Sequence, residues 1–171
     1  MPDTETNRAL VAKAYDGLAK GDPTHFTALF SEDLEWRVMG SSAWSKHLKG
    51  REAVERDLVG PLFARIDGPY LTTAETILAD GDRVVVLAKG NAKTHEGKRY
   101  DNDYAFVFRM EGGKIVEVRE YMDTILADAA LGTRRIDRHH PPLPPLLQCS
   151  ISLPGISHDQ AHHQNLTRTR D

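Results

Sequence analysis

The sequence predicts a single α+β domain in which a curved antiparallel sheet wraps around three N-terminal helices. Two observations carry this prediction. Before residue 67 most apolar residues recur at helical spacing, whereas from Tyr70 to Met122 they alternate with polar residues. Short glycine-containing turns separate the alternating runs, so consecutive strands pair as hairpins. Helices followed by a meander of strands is an α+β order, and curvature of the sheet around the helices buries both apolar faces.

Length and composition limit the possible functions. The chain has 171 residues, 40% of them hydrophobic, and a net charge of −3. This size suits one core, and the acidic balance argues against nucleic-acid binding. No apolar run is long enough to span a membrane, and the polar N-terminus lacks the features of a signal peptide. Cys149 is the only cysteine. We therefore predict a cytoplasmic protein that needs no metal or cofactor and binds neither nucleic acid nor membrane.

The composition changes near Gly132. Residues 133–171 contain five of the eight histidines and five of the nine prolines. Proline removes backbone donors, and the segment shows no sustained apolar period. We therefore predict a domain over 1–132 followed by a Pro/His-rich tail over 133–171 that is disordered.

The N-terminal part contains three predicted helices and one strand. The first helix covers 6–20 and ends at Gly21, because its apolar residues share one face: Leu10, Val11, Ala14, Tyr15 and Leu18. Asp22-Pro23 has the pattern of an N-cap and a first-turn proline, and it opens a short second helix. Leu34, Trp36 and Val38 alternate with polar residues, which is typical of a strand.

The second half of the domain is predicted to be mainly sheet. A glycine- and serine-rich loop over 40–50 precedes a third helix, which begins near Arg51 and is bent at Gly60-Pro61. Four strands follow, over 70–79, 82–94, 100–110 and 114–122. Glycine-containing turns at 80–81, 96–97 and 111–113 join them.

The last two strands predict which residues face the helices. The even-numbered positions are the more apolar ones on both strands, so they should face inward. These positions are Tyr100, Asn102, Tyr104, Phe106, Phe108 and Met110 on one strand, and Val116, Val118, Glu120 and Met122 on the other. A three-residue turn at 111–113 would pair Tyr104 with Glu120 and Asn102 with Met122.

Glu120 is the one carboxylate among the inward-facing positions of these two strands. Burial raises the pKa of a carboxyl and prepares it for proton transfer near neutral pH. We predict that Glu120 is the acid/base in a cavity, with Tyr104 and Asn102 orienting it. A structural carboxylate satisfied by Tyr104 and a backbone or Lys89 donor is an equal alternative.

Several other residues are candidates for the cavity wall. Trp36, Tyr15 and Met122 are predicted to contact a substrate, as are Lys89 and Asn91, although the pattern does not determine which face the last two occupy. Aromatic residues at such spacing are also common in ordinary cores. Asp123, which precedes an apolar segment, is predicted to be an N-cap and not a catalytic residue.

Two segments carry a family resemblance. Residues 97–124, with the sequence GKRYDNDYAFVFRMEGGKIVEVREYMDT, resemble the C-terminal sheet of SnoaL-like proteins. Residues 19–22 and 28–30 resemble the opening helices of that family. The likeness identifies residues 6–131 with the SnoaL-like and ketosteroid isomerase-like proteins of the nuclear transport factor 2 superfamily. It implies a cone-shaped, cystatin-like fold and a homodimer formed through the sheet. The fold hosts many reactions, so the likeness determines chemistry less than architecture.

Comparison with particular members of the superfamily reduces the number of reactions that are expected of this chain. The positions of the functional groups of ketosteroid isomerases correspond to Ala14, Val38 and Ala105 or Phe106, so that mechanism is not expected. Limonene-epoxide hydrolases carry an Arg-X-Asp pair where this chain has residues 89–91, and an aspartate where it has Glu120.

The resemblance implies a cavity for a hydrophobic cyclic or polyketide-like molecule and cofactor-independent acid/base chemistry. Cyclase, isomerase, dehydratase and epoxide hydrolase reactions are all open. A non-catalytic domain that binds a small ligand is the alternative function.

Overall fold

The computed structural model describes residues 3–132, and the predicted tail at 133–171 lies outside the described residues. Helix α1 (Thr4–Leu18) and the short helix α2 (Thr24–Ala28) come first. Asp3 caps α1 by accepting a hydrogen bond from the Glu5 backbone. Pro23, and not Asp22 as predicted, is the N-cap residue of α2, and the Asp22 side chain accepts a hydrogen bond from the Thr24 backbone at the start of the helix.

The third predicted helix is irregular. It consists of α3 (Arg51–Val54), a π-helical turn (Glu55–Val59) and α4 (Gly60–Phe63). Pro61 has no backbone N–H, so the regular α-helical bond pattern is interrupted there. The Lys46 ammonium donates to the Asp57 carbonyl at 3.1 Å within this turn. The predicted irregularity at Gly60-Pro61 is confirmed.

Six strands form one sheet in the order β2-β1-β6-β5-β4-β3. Their bounds are β1 (Phe30–Val38), β2 (Lys46–Lys49), β3 (Leu71–Asp80), β4 (Arg83–Asn91), β5 (Asp103–Glu111) and β6 (Lys114–Met122). Strand β2 lies inside the segment predicted to be a loop over 40–50. Strands β1 and β6 pair in parallel, so the sheet is mixed and not wholly antiparallel. The predicted α+β class and the curved sheet are confirmed.

The predicted register of β5 and β6 is wrong by two residues. Tyr104 lies opposite Met122, and Phe106 lies opposite Glu120. A bulge between Arg109 and Met110 lets a two-residue turn replace the predicted three-residue turn. The bulge also changes the inward face of β6 at its start, because Ile115 and not Val116 is fully buried.

Helix α5 (Thr124–Leu131) closes the described chain. The Asp123 carboxylate accepts hydrogen bonds from the backbones of Ile125 and Leu126, at 2.9 and 3.1 Å, which confirms that Asp123 is an N-cap. The core lies between the helices and the concave face of the sheet, where Val11, Trp36 and Phe108 are buried.

A candidate acid/base cavity

A cavity of about 380 Å³ lies between the helices and the concave face of the sheet. Its walls come from α1, α2, the π-helical turn, α4 and four of the strands. The lining is mainly apolar, with Leu18, Phe26 and Leu62 among its members. Its volume falls in the range of small-molecule sites, so the fold provides space for a compact hydrophobic ligand.

Glu120 is the only carboxylate among the described residues that line this cavity. Side chains alternate along β6, so Glu120 shares the inward face with Val118, which is fully buried. Only 9% of the Glu120 surface is exposed. Its Oε2 accepts a hydrogen bond of 2.8 Å from the Trp36 indole N–H.

The surroundings of Glu120 raise its pKa to about 7. Burial is the main cause, and the hydrogen bond from Trp36 acts in the opposite direction. Within residues 3–132 no lysine, arginine or histidine forms an ion pair with this carboxylate, and no described donor binds its Oε1. A carboxyl group in this state is present both with and without its proton at neutral pH.

Trp36 and Tyr15 lie at the cavity, at the positions predicted for them. Parallel pairing with β6 brings Trp36 on β1 next to Val118, one inward position from Glu120. Tyr15 on α1 is 2% exposed, and its hydroxyl has no hydrogen-bond partner within residues 3–132. Burial raises the pKa of Tyr15 well above its ordinary value, and the nearby Glu120 and Tyr70 act in the same direction. This hydroxyl therefore stays protonated at neutral pH.

Tyr104 does not orient Glu120, contrary to the prediction. Its hydroxyl lies 2.5 Å from that of Tyr70 and 3.0 Å from that of Tyr100. Its ring stacks on Phe106 at a centroid distance of 5.1 Å. The two-residue change of register places Phe106, and not Tyr104, directly opposite the carboxylate.

Asn102 and Met122 are also outside the cavity lining, so the predicted boundary of the cavity is wrong at both residues. Asn102 is buried and exchanges two hydrogen bonds with the backbone of Asp123, at 2.9 and 3.0 Å. It therefore fixes the start of α5 and does not approach Glu120. The Met122 sulfur accepts a hydrogen bond of 3.4 Å from the Tyr100 hydroxyl.

Lys89 and Asn91 lie on the opposite face of the sheet. The even-numbered residues of β4 face the helices, so these two odd-numbered residues are exposed. Lys89 pairs with Glu75 at 3.1 Å, and Asn91 accepts a hydrogen bond from Arg99. The prediction that they contact a cavity ligand is wrong.

Phe106 and Tyr70 are among the cavity residues that the sequence analysis did not predict. Phe106 was assigned to the inward face, but its place beside Glu120 depended on the register. Tyr70 was predicted to be the first residue of a strand, but it lies just before β3, so the alternation of that strand does not determine its orientation. A concentration of tyrosines at 70, 100 and 104 was the available signal.

Neither a metal-binding cluster nor a membrane-spanning helix is present within residues 3–132. These residues contain no group of three or more His, Cys, Asp or Glu side chains that could hold a metal ion. None of the helices between them has the length and apolar character needed to cross a membrane.

Known proteins resemble this chain in sequence and in structure. Residues 11–118, more than half of the chain, match the family model of the SnoaL-like domain. An uncharacterized protein of Mycobacterium tuberculosis is 29% identical over 112 residues, which cover 66% of this chain and 85% of the relative.

Two solved structures extend the likeness to the fold. Bal32a, from a soil-derived mobile gene cassette, is 27% identical with a TM-score of 0.63, over 77% of this chain and 98% of that one. An NTF2-like protein of Burkholderia xenovorans LB400 is 21% identical with a TM-score of 0.60, over 78% of this chain and all of that one.

Proposed function

The chain belongs to the SnoaL-like domain family, and from that premise we propose that it is a small-molecule enzyme in which Glu120 transfers a proton. The substrate is a hydrophobic cyclic or polyketide-like compound held in the cavity, and the reaction needs no cofactor. One observation carries the proposal, namely a buried carboxylate with a pKa of about 7 that lines an apolar cavity of about 380 Å³.

The chemical step follows from the state of Glu120. As a carboxylate, it removes a proton from an acidic C–H or O–H bond of the substrate, and the substrate keeps the bonding electrons. The resulting carboxylic acid then returns the proton to another atom of the same substrate. A group whose pKa is near the working pH can perform both steps. Trp36 holds the carboxylate in place through its 2.8 Å hydrogen bond.

This chemistry favours isomerase and cyclase reactions among the possibilities that the family offers. Each of these requires one group that accepts and returns a proton. The Arg-X-Asp pair of limonene-epoxide hydrolases corresponds to residues 89–91, and Lys89 and Asn91 lie on the outer face, away from the cavity. The described lining therefore supplies no second carboxylic acid to protonate an epoxide.

Exchange of α-protons for deuterium tests the proposal without knowledge of the natural substrate. The probe is 2-acetonaphthone, an enolisable aromatic ketone, incubated with the protein in deuterated water and followed by NMR. We expect the protein to accelerate exchange of the methyl protons. Glu120→Gln preserves the shape but not the proton transfer, so it should slow exchange by about 10²–10⁴-fold.

The matched control is Glu117→Gln, which changes the same residue type on the same strand but on the outer face. It should leave the exchange rate unchanged. Equal rates for the wild-type protein and Glu120→Gln would refute the proposed role. Binding of the ketone without any accelerated exchange would favour the alternative, a non-catalytic ligand-binding domain, for which the largely apolar lining is the supporting observation.

We also propose that two copies associate through the outer face of the sheet. Leu87, Ala105 and Tyr121 lie side by side across β4, β5 and β6 on that face. Leu87 and Tyr121 are each 43% exposed, and Leu78 on β3 is 61% exposed. Apolar patches of this kind support an interface between copies. Cytoplasmic location stays a prediction from the sequence.

A further inference from the structure

Three tyrosine hydroxyls form a continuous chain beside the cavity. The Tyr70 and Tyr104 oxygens lie 2.5 Å apart, and the Tyr104 and Tyr100 oxygens lie 3.0 Å apart. The chain ends at the Met122 sulfur, 3.4 Å from the Tyr100 oxygen. Tyr70 lines the cavity, whereas the other two tyrosines lie behind it. The mechanism proposed for Glu120 does not use this chain.

The backbone of β4 makes room for the chain. A Cβ atom at Gly90 would lie 3.0 Å from the Tyr104 ring and 3.2 Å from both the ring and the hydroxyl oxygen of Tyr70. Both rings therefore pack directly against bare backbone, which brings their hydroxyls together. An added Cβ atom at Gly90 would therefore require both rings to shift by a few tenths of an ångström.

The protons of the chain can point in either direction. Each hydroxyl has one proton and can also accept hydrogen bonds. With the Met122 sulfur as the final acceptor, Tyr100 donates to sulfur, Tyr104 donates to Tyr100 and Tyr70 donates to Tyr104. Sulfur is a weak acceptor, so reversing all three protons sacrifices only the weakest bond. In the reversed direction Tyr70 has its proton free for a group in the cavity.

The three hydroxyls keep their protons throughout the physiological pH range. Burial raises the pKa of Tyr70 and of Tyr104 well above the ordinary value, and it raises the pKa of Tyr100 to about 12. They are therefore neutral hydrogen-bond donors and not bases.

We propose that Tyr70 donates a hydrogen bond to a carbonyl or phenolic oxygen of the cavity ligand, and that Tyr104 and Tyr100 support it by turning their protons toward that oxygen. Tyr70 is then a ligand-binding residue, and the other two are positioning residues. The inference rests on the proposed small-molecule cavity and specifies the ligand class, an apolar ring compound with an oxygen at the Tyr70 side. Consecutive hydrogen bonds polarise one another, so the supported donor is stronger than a single tyrosine.

A pair of probes separates the hydrogen bond from apolar packing. The first is 2-acetonaphthone and the second is 2-ethylnaphthalene, which has a similar shape but no oxygen. Tyr70→Phe should weaken binding of the ketone about tenfold, which corresponds to about 1.4 kcal/mol, and should leave binding of the hydrocarbon unchanged. Calorimetry on the full chain measures both affinities.

Infrared spectroscopy of the bound ketone tests the support from the chain. In the wild-type complex the carbonyl stretch should lie below its position in hexane, and Tyr70→Phe should return it toward that position. Tyr100→Phe, which lies outside the cavity lining, should move it by a smaller amount in the same direction. Gly90→Ala should also change the position of the stretch, because the added Cβ atom displaces the Tyr70 and Tyr104 rings from their present contact with the backbone.

Three outcomes would overturn the inference. They are no binding of the ketone by the wild-type protein, a carbonyl stretch in the complex equal to that in hexane, and equal weakening of both probes by Tyr70→Phe. Circular dichroism of each variant shows whether it is folded. If Tyr70→Phe does not fold, the infrared shift in Tyr100→Phe still tests the inference. The infrared shift does not depend on proton transfer, so its presence in Glu120→Gln separates this inference from the proposed function.

Discussion

Glu117 and Glu120 are two carboxylates on one strand that experience opposite environments. Glu117 lies on the outer face of β6, where Arg119 approaches at 2.6 Å, Arg109 at 3.4 Å and Arg83 at 3.7 Å. The hydrogen bond from Arg119 is the main reason that the pKa of Glu117 is below its ordinary value. Three residues further on, the inward-facing Glu120 has no such partner among the described residues, and its pKa is raised to about 7.

The comparison shows that position on a sheet decides the chemistry of a residue type. A carboxylate with cationic neighbours is stabilised in its charged form and stays ionised. A carboxylate buried in apolar surroundings loses hydration without an equivalent replacement, so it retains its proton to higher pH. Only the second situation is suited to proton transfer at neutral pH.

The largest predicted effect concerns stability as a function of pH. The ordinary pKa of Glu120 is 4.5, and its pKa in the folded protein is about 7. In this interval the folded state binds more protons than the unfolded state, so the free energy of unfolding falls as pH rises. Glu120→Gln removes this loss. Its stability relative to the wild-type protein should therefore increase by about 3 kcal/mol between about pH 4.5 and about pH 8.

Urea unfolding at the two pH values measures this difference, and Glu117→Gln is the matched control with the opposite sign. The pKa of Glu117 is lowered, so its stabilising contribution is present above the ordinary pKa and is lost as pH falls through the folded one. Glu117→Gln should therefore cost about 1 kcal/mol at neutral pH. If both variants show the same pH dependence, the two environments do not differ as described.

A smaller effect is expected from the hydrogen bond that opposes burial. Trp36→Phe removes the donor to Glu120, so the pKa of the carboxyl should rise from about 7 by about one pH unit. The rate of α-proton exchange increases as Glu120 loses its proton, so its midpoint should move to higher pH by the same amount.

The pH profile of exchange measures this displacement. Trp44→Phe is the matched control, since this second buried tryptophan donates to the Gly132 carbonyl and does not line the cavity. It should leave the midpoint unchanged. An unchanged or lower midpoint in Trp36→Phe would mean that the indole does not stabilise the charged form of Glu120.

The smallest effect on the cavity is expected from changes to the apolar part of the outer face. Leu87→Lys places a charge in the proposed interface, so sedimentation at micromolar concentration should show two associated chains for the wild-type protein and single chains for the variant. The exchange rate should not change. Ile125→Lys is the control, because Ile125 is an equally apolar residue, 81% exposed, on α5 and not on the sheet. Single chains in the wild-type protein would contradict the proposed homodimer.

Much of the fold could be predicted because its signals are local. Alternation along β6 placed Glu120 on the inward face with Val118, and the structure confirms this placement. Asp123 was recognised as an N-cap from its position before an apolar segment, and its side chain makes the expected bonds. Each of these inferences needs only neighbouring residues in the chain, since side-chain direction and capping are properties of the local backbone.

The residues that contact Glu120 were not determined by any local pattern, because they reach it through pairing between strands. A shorter turn and a bulge together changed the residue opposite Glu120 from Tyr104 to Phe106, because each moves the cross-strand pairing by one residue. Parallel pairing of β1 with β6 brought Trp36 to the carboxylate across 84 positions of sequence.

The sequence by itself thus determined the order of most elements, the inward face of β5 and of the second half of β6, and the presence of one carboxylate there. Only the tertiary structure decided which groups surround that carboxylate. It also decided that the three tyrosine hydroxyls form one hydrogen-bonded chain. The physical reason is that alternation is set by the backbone of a single strand. Register, strand order and the close approach of rings over Gly90 are set by the packing of the whole domain.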